Sequence, residues 1–364
     1  MFDKGTIQLA VIAGIPVRLH WSFLLIFVWV GYNAWIEHLS MTGFLFLQLY
    51  VIILFLCVVM HEYGHALMAR RFGNKTRDIL LTPIGGIARL ESISEKPAQE
   101  LLIAVAGPLV NIVIASVLAL ILFFTGRFNL ATIVSAQNML EFDIVPLLFV
   151  SNIILALFNF IPAFPMDGGR ILRALLSFKW SRLQATRIAA RLGQICAVAF
   201  LLFAFYNEQW MLSLIGIFIF ITAGTELKQV KWESILNVEN AGNLAYLQFD
   251  KLQLFDNIDL PIENAKKGLD INYIVYNGDL AVGTLTNDRI LYCIKNKIAS
   301  QPVSAIMNPQ LILTTPEESL KTVYQRLQTH GAHLALVKNN DQVIGIIGDS
   351  QLKRFVEMKL NREI

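Results

Sequence analysis

Six apolar stretches limit what this chain can become: about Leu19–Ile36, Gly43–Arg70, Leu101–Phe124, Ile144–Pro162, Ile188–Tyr206 and Trp210–Lys228. A helix that crosses a bilayer needs ~20 predominantly apolar residues, within a range of ~17–25. Inside hydrocarbon, a helix is the simplest way for one segment to satisfy its own backbone hydrogen bonds. Composition agrees, with 55 % of residues hydrophobic and 16 % charged, where a soluble domain carries about 25 % charge.

The flanking charges order these segments. Lys4 and Arg18 precede the first. Arg70, Arg71, Lys75, Arg77, Arg89 and Lys96 follow the second; Arg170, Arg173, Lys179, Arg182, Arg187 and Arg191 cluster around the fourth and fifth; Lys228 and Lys231 follow the last. The alternate connections, around 37–42, 125–143 and 207–209, contain only Arg127. Basic residues mark the cytoplasmic side, so six spans with both termini in the cytoplasm are expected. The run Leu9–Val17 is broken by Pro16 and lacks a cleavage site, so it is expected to lie at the membrane surface as mature chain. The net charge of +3 has no basic tract behind it and gives no argument for nucleic acid. Cys57, Cys196 and Cys293 are too few and too far apart for a disulfide framework or a thiolate metal site.

Beyond Lys228 the composition becomes that of a soluble domain, and a pattern repeats. "NYIVYNGDLAVGTLT" (Asn272–Thr286) matches "HLALVKNNDQVIGIIG" (His333–Gly348) as strand–turn–strand, with Gly283 and Gly345 in corresponding places 62 residues apart. Helical stretches such as Pro316–His330 flank each hairpin. This arrangement resembles a tandem pair of cystathionine-β-synthase-type (CBS) domains, with units at about 240–298 and 303–360. The resemblance implies a regulatory domain over 229–364, and such pairs often bind adenine nucleotides through a Thr/Ser and a following Asp. Here "GTLTNDRI" keeps Thr286 but has Arg289 at the acidic place, and "GIIGDSQL" has Gly348 and Gln351 in place of both polar residues. These departures argue against nucleotide sensing and leave dimerisation or substrate docking as an equal reading.

The second apolar run ends in "MHEYGHALMARR" (Met60–Arg71). On a helix His61 and His65 lie one turn apart on one face, and two imidazoles so placed bind one zinc, with Glu62 beside them as general base. The bland reading is two buried histidines and an incidental glutamate. Ionisable groups inside a spanning segment are costly, which weighs against it. With Arg70 and Arg71 at the headgroups, a ~1.5 Å rise per residue puts His65 about 8 Å and His61 about 14 Å deep. A catalytic zinc takes three protein ligands and keeps one open position. In "NFIPAFPMDGGR" (Asn159–Arg170), Pro162 and Pro165 end the fourth run, Gly168 and Gly169 free the backbone, and Asp167 lies between the pairs. Irregular backbone at that depth implies a polar cavity, and Asp167 is the candidate third ligand.

H-E-x-x-H in one span with N-x-x-P-x-x-P-x-D-G in a later one resembles the site-2 protease family of intramembrane zinc metalloproteases. The resemblance covers the whole chain, since a six-span core followed by CBS domains is one of the family's arrangements. It implies one Zn2+ per chain on His61, His65 and Asp167, Glu62 as catalytic base, and Asn159 holding the substrate backbone or oxyanion. The fold class implied is a multi-span α-helical membrane protein over 1–228, with six transmembrane helices and a short membrane-associated β-hairpin, followed by a cytoplasmic α/β tandem CBS domain. "LTPIGGIARLE" (Leu81–Glu91) would form that hairpin, whose strand edge could take up an extended peptide. Expected partners are single-span membrane proteins entering laterally between the first and last spans, the lipid of the cytoplasmic (inner) membrane, and a second copy through the CBS pair. "AGPLVN" (Ala106–Asn111) reads as close helix packing. Cys57 reads as a buried packing thiol, His20 as an interfacial anchor beside Trp21, Asp143 as solvated, and His330 and His333 as ordinary residues of the second CBS unit. A CBS-regulated transporter or channel, or a scaffold without activity, are the rival classes. The first predicts acidic residues spread over several spans; the second predicts loss of the His61, Glu62, His65 and Asp167 set.

Overall fold

Helices occupy the apolar runs in the computed structural model, which describes residues 5–83, 85–90, 96–129, 143–245, 249–269, 271–298, 301–340 and 342–362. Lys4, Ile84, Glu91 and most of the connection 125–143 lie outside the described residues. The helices are α1 (Leu24–Ile36), α2 (Met41–Arg71), α3 (Pro97–Phe124), α4 (Ile144–Asn159), α5 (Asp167–Leu176), α6 (Arg182–Tyr206) and α7 (Trp210–Val238). Among the described residues, four segments are long and apolar enough to cross a membrane: α2, α3, α6 and the part of α7 from Leu212. Trp21–Ile36 and α4 are apolar but shorter.

Two boundaries differ from the sequence reading. Leu19 and His20 end a strand instead of starting a span, and Trp21–Phe23 make a 3-10 turn into α1. The irregular backbone is confined to residues 160–166, with a cis Phe164–Pro165 peptide. Asp167, Gly168 and Gly169 form the first turn of α5 and do not loosen the chain there. A carboxylate in the first turn is favoured by the helix dipole, which offsets the low helix propensity of the two glycines.

The packing of the helices is the reverse of a soluble core. On α6 the buried residues are Ala185, Thr186, Ala189, Ala190, Gly193, Ala197 and Ala204, while Leu202 and Phe205 are exposed, the latter by 82 %. On α2, Ala66 and Ala69 are buried while Leu45, Leu49, Ile52 and Leu56 face outward. In lipid there is no hydrophobic gain from burying Leu against Leu, so helices associate by close approach of small side chains.

A four-stranded sheet, in the order β1 (Thr6–Ile12), β2 (Ile15–His20), β3 (Thr76–Thr82) and β4 (Gly85–Leu90), lies against α2. Strands β1–β2 and β3–β4 are antiparallel hairpins, and β2–β3 is parallel. Val17, Phe23, Val59 and Leu81 form one buried contact between sheet and helix, and Ile15, Ala66 and Ile79 another. Tyr63 Oη donates to the carbonyls of Ile12 and Ile15 at 3.2 and 3.0 Å, so the β1–β2 turn is tied to α2. Asp78 on β3 is fully buried and accepts from Arg89 Nε of β4 at 2.6 Å, which fixes the β4 register. The run Leu9–Val17 is thus mostly strand. Ile7, Leu9 and Val11 on β1 remain exposed.

The chain divides into two units after Leu227. The second contains β5 (Asp250–Gln253), α9 (Asp259–Lys266), β6 (Tyr273–Asn277), β7 (Leu280–Leu285) and α10 (Asn287–Lys295), after a short α8 (Ala241–Leu244). The same order recurs in β8 (Ile312–Thr314), α11 (Leu320–His330), β9 (Leu334–Asn339), β10 (Gln342–Gly348) and α12 (Asp349–Arg362). Each repeat makes a three-stranded sheet with one parallel and one antiparallel pair. Ile274 of the first repeat packs with Leu334, Leu336 and Ile346 of the second. Here large aliphatic side chains are buried, as expected for a core made in water. The strand preceding the helix of each repeat, β5 or β8, is too short to stand out in the sequence.

Candidate metal centre

α2 presents His61 and His65 one turn apart, as the i, i+4 spacing requires, and both are buried. α5 brings Asp167, also buried, to the same point. His65 Nε2 lies 3.1 Å from His61 Nε2 and 3.0 Å from Asp167 Oδ2, and His61 Nε2 lies 3.2 Å from that oxygen. A tetrahedral ion with bonds of ~2.0–2.1 Å separates its ligand atoms by about 3.3 Å. The triangle is therefore the size that a zinc ion needs. Among the described residues it is the group able to hold a metal.

The far ring nitrogens fix the tautomer. His61 Nδ1 lies 2.5 Å from Oδ1 of Asn111, and His65 Nδ1 lies 2.7 Å from the Ile103 carbonyl. An amide oxygen and a backbone carbonyl only accept, so each Nδ1 carries the proton and each Nε2 is left with a lone pair for a metal. Asn111 is itself oriented by its Nδ2, which donates to Asn152 Oδ1 at 2.9 Å, and Asn152 Nδ2 donates to the Leu148 carbonyl at 2.9 Å. Both asparagines are fully buried. "AGPLVN", read from sequence as packing alone, is thus in contact with both imidazoles. A Cβ on Gly107 would stand 2.1 Å from His65 Nε2 and 2.8 Å from His61 Cε1. The missed signal is the Asn one turn after a glycine in an apolar helix, with a second Asn in another span.

Glu62 leaves α2 toward the sheet. Its Oε2 accepts from the Ala88 N–H of β4 at 2.9 Å, and a Cβ on Gly86 would stand 2.7 Å from its Cγ. β4 is the last strand in the order, so the carboxylate engages a backbone N–H that β3 does not use. Asn159 ends α4, half-buried, and among the described residues no hydrogen bond joins it to His61, Glu62, His65 or Asp167. Cys57 is buried on α2 and is not one of the converging groups. Asp143 caps α4 and pairs with Arg127 at 3.1 Å, so the one basic exception in the charge pattern is neutralised locally. His20 Nδ1 accepts from Ser22 N, capping the turn into α1. His330 and His333 are exposed in the second repeat.

Apolar helices close over two imidazoles and a carboxylate, with a glutamate alongside, which is the donor set and base that zinc hydrolases use. The profile of Peptidase family M50 matches residues 49–204, and that of the CBS domain matches residues 303–357. The chain belongs to peptidase family M50, the site-2 zinc metalloproteases. It is 39 % identical over 231 residues to a zinc metalloprotease of Methanocaldococcus jannaschii, an alignment that spans 63 % of this chain and 63 % of that protein. A protein of Mycobacterium tuberculosis named as a zinc metalloprotease, Rip3, is 26 % identical over 98 % of this chain and 94 % of its own. The solved site-2 protease from Methanocaldococcus jannaschii is 37 % identical, covering 61 % of this chain and 95 % of that one, with a TM-score of 0.46.

Proposed function

We propose that the chain is an intramembrane zinc protease that hydrolyses peptide bonds within the membrane segments of single-span proteins. The observation that carries the reading is the triangle of His61, His65 and Asp167 donor atoms at 3.0–3.2 Å inside apolar helices, next to Glu62. His61, His65 and Asp167 would hold one Zn2+ per chain. When bound, zinc supplies Lewis acidity, polarising a carbonyl and lowering the pKa of a water.

Glu62 takes a proton from the attacking water and returns it to the leaving amine nitrogen. With Oε2 engaged by Ala88, Oε1 is the oxygen that accepts it. The free edge of β4 would hold the substrate in extended form by strand addition. An intact helix hides its carbonyls in its own hydrogen bonds, so the substrate must unwind before attack. Asn159, at the end of α4, would hold the substrate backbone or oxyanion once a peptide is in place.

The same reading gives six crossings, with α1 and α4 as the two short ones, and places both termini and the 229–364 unit in the cytoplasm of a cell membrane. That unit is a tandem CBS module, the first repeat being the more divergent, and serves dimerisation or substrate docking. Co-expression with single-span membrane proteins tests the activity. Wild-type chain should release a fragment cut within the span, and Glu62→Gln should not. Cleavage at an unchanged rate in Glu62→Gln would refute the mechanism.

A further inference from the structure

α3 contributes no candidate ligand, yet it holds the site from one side. Ile103 holds His65 and Asn111 holds His61. One turn before Ile103, Glu100 is buried and faces Arg173 of α5, which is fully buried. Arg173 Nε and Nη2 lie 2.7 and 2.6 Å from Glu100 Oε1. Its Nη1 lies 2.6 Å from Oε1 of Glu226 on α7, and the guanidinium carbon stands 5.0 Å from the centre of the Phe164 ring. The planar guanidinium is held along its edge by two carboxylates and on its face by an aromatic ring. Arginine has the fixed fork for this, whereas lysine does not.

α5 has ten residues. Helices that short are marginal unless tertiary contacts hold them. Its first residue is Asp167, and Arg173 lies six residues on, about 9 Å along the axis. A rod pinned at two points has its direction fixed, and the second pin is the buried charge cluster. Removing either member would strand a buried charge, the costly event for such a pair.

We propose that Arg173 is a positioning residue for the metal site. Clamped to Glu100 of α3 and Glu226 of α7, it sets the depth and direction of α5 and so delivers Asp167 Oδ2 to the two imidazoles. In this reading α3 is the common scaffold of the three ligands, and the last long helix is tied to the same point through Glu226. The inference rests on Asp167 being a ligand, which the test checks separately.

The experiment uses the full chain, purified in detergent and stripped of metal, and titrates it with cobalt(II), and with zinc in competition against a chelating dye. Arg173→Met should weaken metal binding ~10–100-fold, the range for a lost outer partner, and alter the cobalt visible spectrum. Arg173→Lys should recover part of the affinity, because the charge returns without the fork. If Arg173→Met fails to fold, the double variant Arg173→Met/Glu100→Leu removes both buried charges and should fold while keeping the weak binding and the altered spectrum. A folded double variant with affinity within about twofold of wild type and an unchanged spectrum would overturn the proposal. Asp167→Ala is the reference. If it too keeps its metal, the reading of the site itself fails; if it loses metal while the double variant does not, only the role of Arg173 fails.

Discussion

Asn111 Oδ1 stands 2.5 Å from His61 Nδ1, at full burial, and its own amide nitrogen is spent on Asn152. The two ends of an asparagine amide are alike in shape, so only their partners decide which way it points. If the nitrogen faced His61, His61 Nδ1 would have to accept, and its proton would move to Nε2, the atom proposed to bind the metal. The relay Leu148–Asn152–Asn111–His61 therefore sets the tautomer of a proposed ligand from two helices away.

Asn111→Leu should lower zinc affinity about 10- to 100-fold, the range for a lost outer partner of a ligand. Asn152→Leu should act in the same direction by a smaller factor, since it frees the Asn111 amide to turn but leaves it beside His61. Competitive metal titration of the purified chain measures both. Equal affinities in wild type and Asn111→Leu would show that the imidazole is oriented by something else.

Gly107 gives a steric counterpart. The 2.1 Å that would separate an added Cβ from His65 Nε2 is far inside contact distance, and the obstacle is a ring held at its other nitrogen by Ile103. Gly107→Ala should abolish stoichiometric metal binding while the helices remain folded, as judged by far-ultraviolet circular dichroism. Retention of one zinc per chain in this variant would mean that α3 can move away from α2.

The hold of β4 on Glu62 predicts a separation of activity from metal content. Ala88 gives its N–H to the carboxylate and not to β3, so Ala88→Pro removes that donor without breaking a strand-ladder bond. Proline is tolerated on edge strands for this reason. Ala88→Pro should keep its zinc and lose about tenfold or more in cleavage rate, general-base contributions being typically ~10²–10⁴-fold. Gly86→Ala should behave similarly, because its Cβ would press on Glu62 Cγ. Zinc lost together with activity would show that β4 supports the metal centre and not only the base.

How far the sequence reached follows from which signals are local. The apolar runs, the one-turn spacing of His61 and His65, and the hairpins Tyr273–Leu285 and Leu334–Gly348 are written in consecutive residues, and helices and strands stand at those places. Asp167 could be singled out because prolines and glycines surround it in an apolar setting. Asn111 and Asn152 left only the faint mark of an amide in each of two apolar runs, and Glu100 and Arg173 left none, since each acts through a partner 41 to 73 residues away. An isolated Asn or Glu in a run carries no mark of its mate. The β1–β2 hairpin was hidden for another reason. Its exposed face is apolar, so Leu9–Val17 lacks the polar alternation that announces a strand in water.

The second unit offers a pH test of its own. Tyr273 on β6 is buried, and burial pushes its phenol above the ordinary value of 10.0, while the bond from Asn264 Nδ2 at 3.0 Å acts the other way. The folded state thus disfavours the phenolate relative to the unfolded chain. By linkage, stability from this group is intact below pH about 10 and declines as pH rises from there toward the raised folded value. Tyr276 is raised by burial in the same sense. Thermal unfolding of the second unit within the full chain should therefore lose stability steeply in alkali. Tyr273→Phe should flatten that alkaline loss while costing some stability at neutral pH, where Asn264 is left without its partner. An alkaline slope identical in Tyr273→Phe and wild type would assign the loss to other groups.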